Sequence, residues 1–325
     1  MELYKLTGQV CKEAVSAAKK VSLITGKCPL CHYFDAVWCY VRYGCSPRQY
    51  STGGFYRFRS FERKDMYTGG RSHVARKIFN KSSDLHYLFN KVDFNTLFAE
   101  QLKRGWLSCE AASPEEIRAF VANYDKVVVK PLDGMKGHGI SLLDDKTKKY
   151  VSNFAGKKLL LEECIERHPA LMFNSKSVNT IRLITIKDSK GKVHFLKAGL
   201  RCGVGDSFVD NLSTGGVAYP VSIEYGRIEE PGVGGSYSVG SKDFVYYHPG
   251  TETFMLGYEI PFWKETLALA EKSAAMLDNI RFVGWDIAIT PDGPVLVEGN
   301  SRPGPSIMEE MGQKRGMFKV IMSCR

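Results

Sequence analysis

The stretch RFVGWDIAITPDGPVLVEGN, Arg281–Asn300, decides the reading of this chain. Two alternating apolar runs, IAIT and PVLVE, flank a Pro-Asp-Gly turn, which is the pattern of a β-hairpin. With a three-residue loop centred on Asp292, Asp286 falls directly opposite Glu298. Asn300, two residues further on, then shares their face. Directly opposed Cβ atoms lie only ~4.5–5.5 Å apart, where like charges destabilise a sheet. Two carboxylates and a carboxamide on one face suit a hard cation, and oxygen ligands of this kind suit Mg²⁺. The assignment depends on register, because a two- or four-residue loop would send the acids to opposite faces. A hairpin with solvated acids at its end fits the same pattern, so the residues alone leave both readings open.

A chain of 325 residues is long enough for two or three domains around a large core. It has no run of eighteen apolar residues, so no membrane-spanning helix is expected. The opening MELYKLTGQVCKEAVSAAKKV lacks the uninterrupted apolar segment of a signal peptide, which predicts a cytoplasmic protein. Nine cysteines at irregular spacing fit free thiols better than a disulfide framework. A net charge of +10 admits three partners: nucleic acid, a membrane surface or anionic small molecules. The basic residues are spread out and carry no nucleic-acid-binding signature, so the expectation is small anionic substrates and no nucleic acid.

Helical patterns cover Val10–Val21 and Tyr33–Tyr43, and Lys91–Leu102 is apolar at helical spacing. Ser113 followed by Pro114 opens a further helix as N-cap and first-turn proline. Strands are expected at KVVVKP, GISLL, KLLLEECI, TIRLITI, VHFLKAGLR and VAYPVSI, and Pro261–Leu277 reads as one long amphipathic helix. Its Phe262, Trp263, Leu267 and Ala270 form a core-packing stripe. The order is α+β with antiparallel hairpins rather than alternating β-α units.

Lys130 ends the strand KVVVKP and precedes the loop LDGMKGHG, which carries Gly134, Gly137 and Gly139. Glycines let backbone N–H groups approach an anion, and a lysine at the loop base adds a point charge. GISLLDD after the loop reads as a strand, whereas a dinucleotide or Walker loop feeds a helix. The arrangement is a strand–loop–strand lid over phosphates, or else a plain Gly-rich hairpin turn.

VVVKPLDGMKGHGI, LLLEECI, SVNTIRLITI, LRCGVGDSFVDNLSTGG and GWDIAITPDGPVLVEGNSRPG together resemble the ATP-grasp superfamily. They are most similar to its sugar-transfer-associated branch, found with polysaccharide biosynthesis. The resemblance runs in order from about residue 85 to 305, and residues 1–85 look like that branch's leading domain. It implies an α+β ATP-grasp fold of three subdomains, with ATP between two antiparallel sheets. Here these would be a leading domain at 1–85, a central lid subdomain at 86–166 and a catalytic subdomain at 167–325.

Carried over by position, Lys91 and Lys130 match the two nucleotide-binding lysines, and Glu162, Glu163, Cys164 and Ile165 match the hinge whose backbone meets adenine. Arg182 occupies the strand position of an arginine facing phosphate or substrate, and Asp286, Glu298 and Asn300 match the Mg²⁺ triad. Arg201 suits recognition of phosphate or carboxylate oxygens. Asp210-Asn211 and Gly215-Gly216 form a polar turn on the substrate side, and Arg302 either touches substrate or caps the hairpin. The resemblance implies ATP- and Mg²⁺-dependent joining of a small-molecule carboxylate to an amine through an acylphosphate. The partners would be an amino acid or related acid and a sugar or other amine. A kinase-like phosphotransferase and a basic, ATP-binding regulatory or nucleic-acid-binding protein are the alternatives.

Cys28-Pro-Leu-Cys31-His32 matches the haem c attachment pattern, and with Cys39 and Cys45 it supplies enough ligands for zinc. Buried or idle thiols in a helical segment are the plainer explanation.

Overall fold

Alternation in the strand sequences sorts side chains onto two faces, and the chain resolves them into two antiparallel sheets. The structure is a computed structural model and describes residues 5–51, 53–134, 139–173, 176–205, 215–234, 245–305, 307 and 316–325. The smaller sheet contains β1 (Trp106–Ser108), β2 (Val127–Pro131), β3 (Ser141–Leu142) and β4 (Leu159–Glu163), in the order β1-β4-β2-β3. The larger contains β5 (Thr180–Lys187), β6 (Val193–Cys202), β7 (Val217–Val221), β8 (Val233–Gly234), β9 (Phe282–Thr290) and β10 (Gly293–Asn300), in the order β10-β9-β5-β6-β7-β8. Every expected strand is present. β1 was not anticipated, since three residues are too few to show a period.

Helices form where caps and apolar spacing coincide. Ser113 accepts from the Glu116 N–H while Glu116 reaches back to Ser113, a full capping box with Pro114 in the first turn. Gly26 and Gly44 close the two leading helices, Gly8–Thr25 and Pro29–Tyr43, in left-handed conformation. The single helix expected over Lys91–Leu102 is instead two, Lys91–Leu97 and Ala99–Leu102. Phe98 leaves helical geometry between them, with its ring fully buried 5.6 Å from that of Trp285. Aromatic packing across the fold there outweighs helical propensity.

The larger sheet is covered on both faces. Ile181, Leu183, Val283, Trp285 and Ile287 point one way, into the core that includes Ala270 and Ala274 of helix Trp263–Ala275. Ile184, Ile186 and Phe282 point the other way, against Ala75 and Phe79 of helix Gly69–Phe79 and Met317 and Ile321 of helix Met317–Ser323. Full burial of each such side chain contributes roughly 1.5–3 kcal/mol. Arg182 and Asp286 share this second face, just past the apolar rows. The leading segment therefore covers half of that face, and the polar residues occupy the other half.

The hairpin differs from its expected form. Thr290 pairs with Gly293, so the loop is the two residues Pro291 and Asp292, and Asp292 is not its centre. Thr290 Oγ1 accepts from the Asp292 N–H and donates to the Gly293 carbonyl at 2.8 Å, which tightens the turn. That loop alone would separate the acids. A bulge between Leu296 and Glu298 inserts one extra residue and brings Glu298 back opposite Asp286.

Candidate active site

Strand register assembles a polar row across the larger sheet. Glu298 pairs with Asp286, Asp286 pairs with Arg182, and Arg201 lies on the next strand opposite Thr180. Asp286 is 1% exposed. Both its oxygens are held by Arg182, whose Nε and Nη2 donate as a fork, the latter at 2.8 Å. Arg201 Nη2 stands 3.3 Å from the second oxygen. Burial alone would raise the Asp286 carboxyl, but the two guanidiniums outweigh it and hold it below the usual carboxylate range. The arginines expected to face substrate thus have a different first partner, because a buried carboxylate needs neutralising charge from its nearest strands.

Glu298 is open to solvent at the end of the same row. Protein crowding and then the Asp286 charge push its carboxyl well above the usual range, against the pull of both arginines. Asn300 is half-buried and its Oδ1 accepts from the Arg302 N–H at 2.9 Å. These residues fit a divalent cation. A carboxylate offers about four lone-pair sites. The arginines take three on Asp286, and the remainder faces Glu298, which is itself open. Among the described residues no group of three His, Cys, Asp or Glu side chains forms a metal cage, so Glu298 and Asn300 would be the leading ligands.

Across from this row the smaller sheet presents cations. Lys130 Nζ donates to Glu162 Oε2 at 2.5 Å, and Arg104 Nε and Asn95 Nδ2 donate to the same carboxylate at 3.1 and 3.0 Å. Glu162 is buried, and Lys130 first, then Arg104, hold it strongly ionised against its burial. The hinge expected here uses backbone groups, and the Glu162 side chain has its own task, anchoring Lys130. The N–H groups of Glu163 and Cys164 are also committed, to the carbonyls of Gly105 and Lys126 at 2.9 and 3.0 Å. Only Ile165 of the four lies past this ladder.

Lys91 opens its helix behind the N-cap Asn90 and donates to the carbonyls of Leu132 and Gly134 at 3.0 and 2.8 Å. It thereby pins the start of the Gly-rich loop. Burial lowers its ammonium, Glu298 opposes that shift and Lys130 reinforces it. Lys91 thus stands in the field of both halves of the site. Gly139 takes φ +77°, and a Cβ there would lie 2.8 Å from Pro131 Cγ, so the loop's return requires glycine. Gly137, His138, Asp210 and Asn211 lie outside the described residues.

Arg302 stands at the end of the hairpin and contacts both Asn300 and His73. Its N–H closes on Asn300, and Nη1 lies 2.8 Å from His73 Nε2. His73, Asn95 and Arg104 escaped sequence reasoning. Asn95 alone carried a signal, four residues after Lys91 and so on the same helix face. The zinc reading fails: His32 uses its two ring nitrogens on Thr25 and Tyr50, at 2.8 and 2.9 Å. Cys39 and Cys45 are buried away from the exposed Cys28 and Cys31, and all nine thiols are free.

An antiparallel lid sheet with a lysine-based Gly-rich loop, set against a sheet ending in opposed acids, defines an ATP-grasp protein. A family model described as sugar-transfer associated ATP-grasp matches residues 150–324, more than half of the chain, and the protein belongs to that family. Comparison with curated proteins gives no match. Similar solved structures include the ATP-grasp ligase PsnB complexed with a precursor variant, Mg and ADP, at 15% identity and a TM-score of 0.45. That match covers 75% of this chain and 60% of PsnB, so the chain spans about three-fifths of that relative's length. An L-amino acid ligase from Bacillus licheniformis matches at 13% identity over 74% of this chain and 48% of its own, with a TM-score of 0.44. D-alanyl-alanine synthetase A from Vibrio cholerae matches at 12% identity over 80% and 74%, with a TM-score of 0.46.

Proposed function

We propose that the protein is an ATP- and Mg²⁺-dependent ligase that joins a carboxylate to an amine through an acylphosphate. One observation carries the reading: Arg104 joins Glu162, the partner of Lys130 in the lid sheet, to the Leu296 carbonyl beside Glu298 in the acid row. Phosphate-binding cations and candidate metal ligands therefore converge on one cleft. Phosphoryl transfer needs positioning and charge neutralisation more than a covalent protein group.

In this reading Lys130, Lys91 and the Gly-rich loop hold the phosphates, and Ile165, just past β4, meets the base. Glu298 and Asn300, backed by Asp286, would hold Mg²⁺, which would supply charge neutralisation for the phosphates. A carboxylate oxygen of the substrate attacks the γ-phosphorus and ADP leaves. The amine then attacks the acyl carbon, expelling phosphate and losing a proton. Arg182 and Arg201 keep Asp286 ionised and immobile. The family's sugar-transfer association supports an amino acid or related acid and a sugar or other amine, in polysaccharide biosynthesis. Separate apolar cores in the leading helices and around β2 and β4 support distinct leading and central units, while Ala75, Phe79, Leu88 and Phe98 pack into the cores of the larger sheet.

Incubation with ATP, Mg²⁺ and pooled amino acids in the presence of hydroxylamine tests this. The expected product is a hydroxamate with stoichiometric ADP. A phosphorylated product without hydroxamate would make the protein a phosphotransferase instead.

A further inference from the structure

Helix Gly69–Phe79 carries a cationic face that the ligase chemistry above does not use. His73, Arg76, Lys77 and the C-cap Asn80 are spaced i, i+3, i+4 and i+7 and share that face. At its inner end His73 meets Arg302, which is bonded to Asn300 of the acid row. At its outer end lies a cleft of about 440 Å³, lined by Arg76, Lys77, Lys81, Ser82 and Ser83. That volume falls within the roughly 300–1,000 Å³ of small-molecule sites.

The cleft is held rigidly relative to the hairpin. Asn80 Nδ2 donates to the carbonyls of Phe282 and Ser301 at 2.8 and 3.0 Å. Its Oδ1 accepts from the N–H groups of Arg281 and Phe282 at 3.0 and 2.9 Å. The cationic face is thus bolted to the strand that carries Asp286 and to the residue after Asn300.

Cations in the last turn of a helix complement its dipole, which accounts for Arg76 and Lys77. It does not account for Lys81 beyond the helix, for the serines, or for the hollow they surround. Asp84, the acid of this segment, accepts from Ser83 Oγ at 2.6 Å and Asn279 Nδ2 at 2.8 Å, and its charge answers part of that on Lys81. Partial burial first, and then Arg302, Arg76 and Lys77, keep the His73 imidazole below its ordinary value. Among the described residues Arg76 and Lys77 form no ion pair.

We propose that this cleft docks the anionic group, phosphate or carboxylate, of the second substrate, whose reacting end reaches Arg302 and the acid row. The docking stands on the cleft itself, and its link to the reaction rests on the ligase reading.

Calorimetric titration of the full chain with glucose 1-phosphate, and separately with malonate, tests the docking, with and without AMPPNP and Mg²⁺. At least one probe should bind at about millimolar affinity or better, and a Lys77→Gln/Lys81→Gln variant should weaken it about tenfold or more. Both lysines are exposed, so the variant keeps its fold. Its affinity for AMPPNP should stay within about twofold. Binding of glucose 1-phosphate alone assigns a phosphorylated substrate, and binding of malonate alone a carboxylate. No binding of either probe, or binding unchanged in the variant, overturns the proposal. A probe that binds and responds to the variant while AMPPNP does not bind leaves the docking site standing and removes the ligase reading.

Discussion

Asp286 and Glu298 face each other across β9 and β10 although the loop joining those strands is only two residues long. A regular ladder from that loop would set Val297 opposite Asp286 and turn Glu298 toward the apolar core beside Trp285. The bulge restores the pairing, and Arg104 Nη1 grips the carbonyl of Leu296 at its edge, at 2.6 Å. Bulges beside active sites commonly re-aim one side chain, and here it is the solvent-open acid.

Glu298→Gln should lower ADP formation by about 100-fold or more, since it removes a charge aimed at the metal and phosphates. Its melting temperature should match or exceed the parent's, because a carboxyl raised by its like-charged neighbour is relieved by an amide. Near-normal turnover would remove Glu298 from the metal site.

Asp286→Asn should behave differently. It removes the carboxylate that Arg182 and Arg201 share, which costs about 3–5 kcal/mol. Urea denaturation should show that loss together with loss of activity. A stable but inactive variant would mean that the arginines have another partner.

Arg104→Ala should break the clamp between the two sheets, releasing both Glu162 and the Leu296 carbonyl. We expect a loss of about 2–4 kcal/mol and a rise in KM for ATP larger than the fall in kcat. A fall in kcat alone would place Arg104 outside nucleotide binding.

His248 gives the fold a pH dependence. It is 1% exposed, stacks on Phe173 and accepts from the Gly250 N–H, and burial lowers its imidazole to about 4. Below the ordinary histidine value the unfolded chain binds a proton that the folded chain does not. Stability should therefore fall by about 2 kcal/mol from pH ~7.5 to pH ~5. His248→Phe should flatten that slope in urea midpoints, and an unchanged slope would assign it to other groups.

Much of this was legible in the chain. KVVVKP and TIRLITI read as strands, and Ser113 as a cap, because alternation and capping are local properties. The acid pairing was also legible, though through a loop length that the structure replaces with a shorter loop and a bulge. Arg104 was not legible, since nothing in LKRGW marks a residue that bridges Glu162 to a strand 192 positions away.

By itself the sequence determined the two sheets, the long helices and the presence of acids and lysines suited to a nucleotide and a metal. Those follow from periods of two and of 3.6, which neighbouring residues set. Tertiary structure alone decided which charge answers which. Asp286 was given to Arg182 and Arg201, Glu162 to Lys130, and the face of helix Gly69–Phe79 to the edge of the hairpin. A buried charge is settled by whatever surrounds it in space, and contacts such as Asn80 to Ser301, 221 residues apart, leave no period to read.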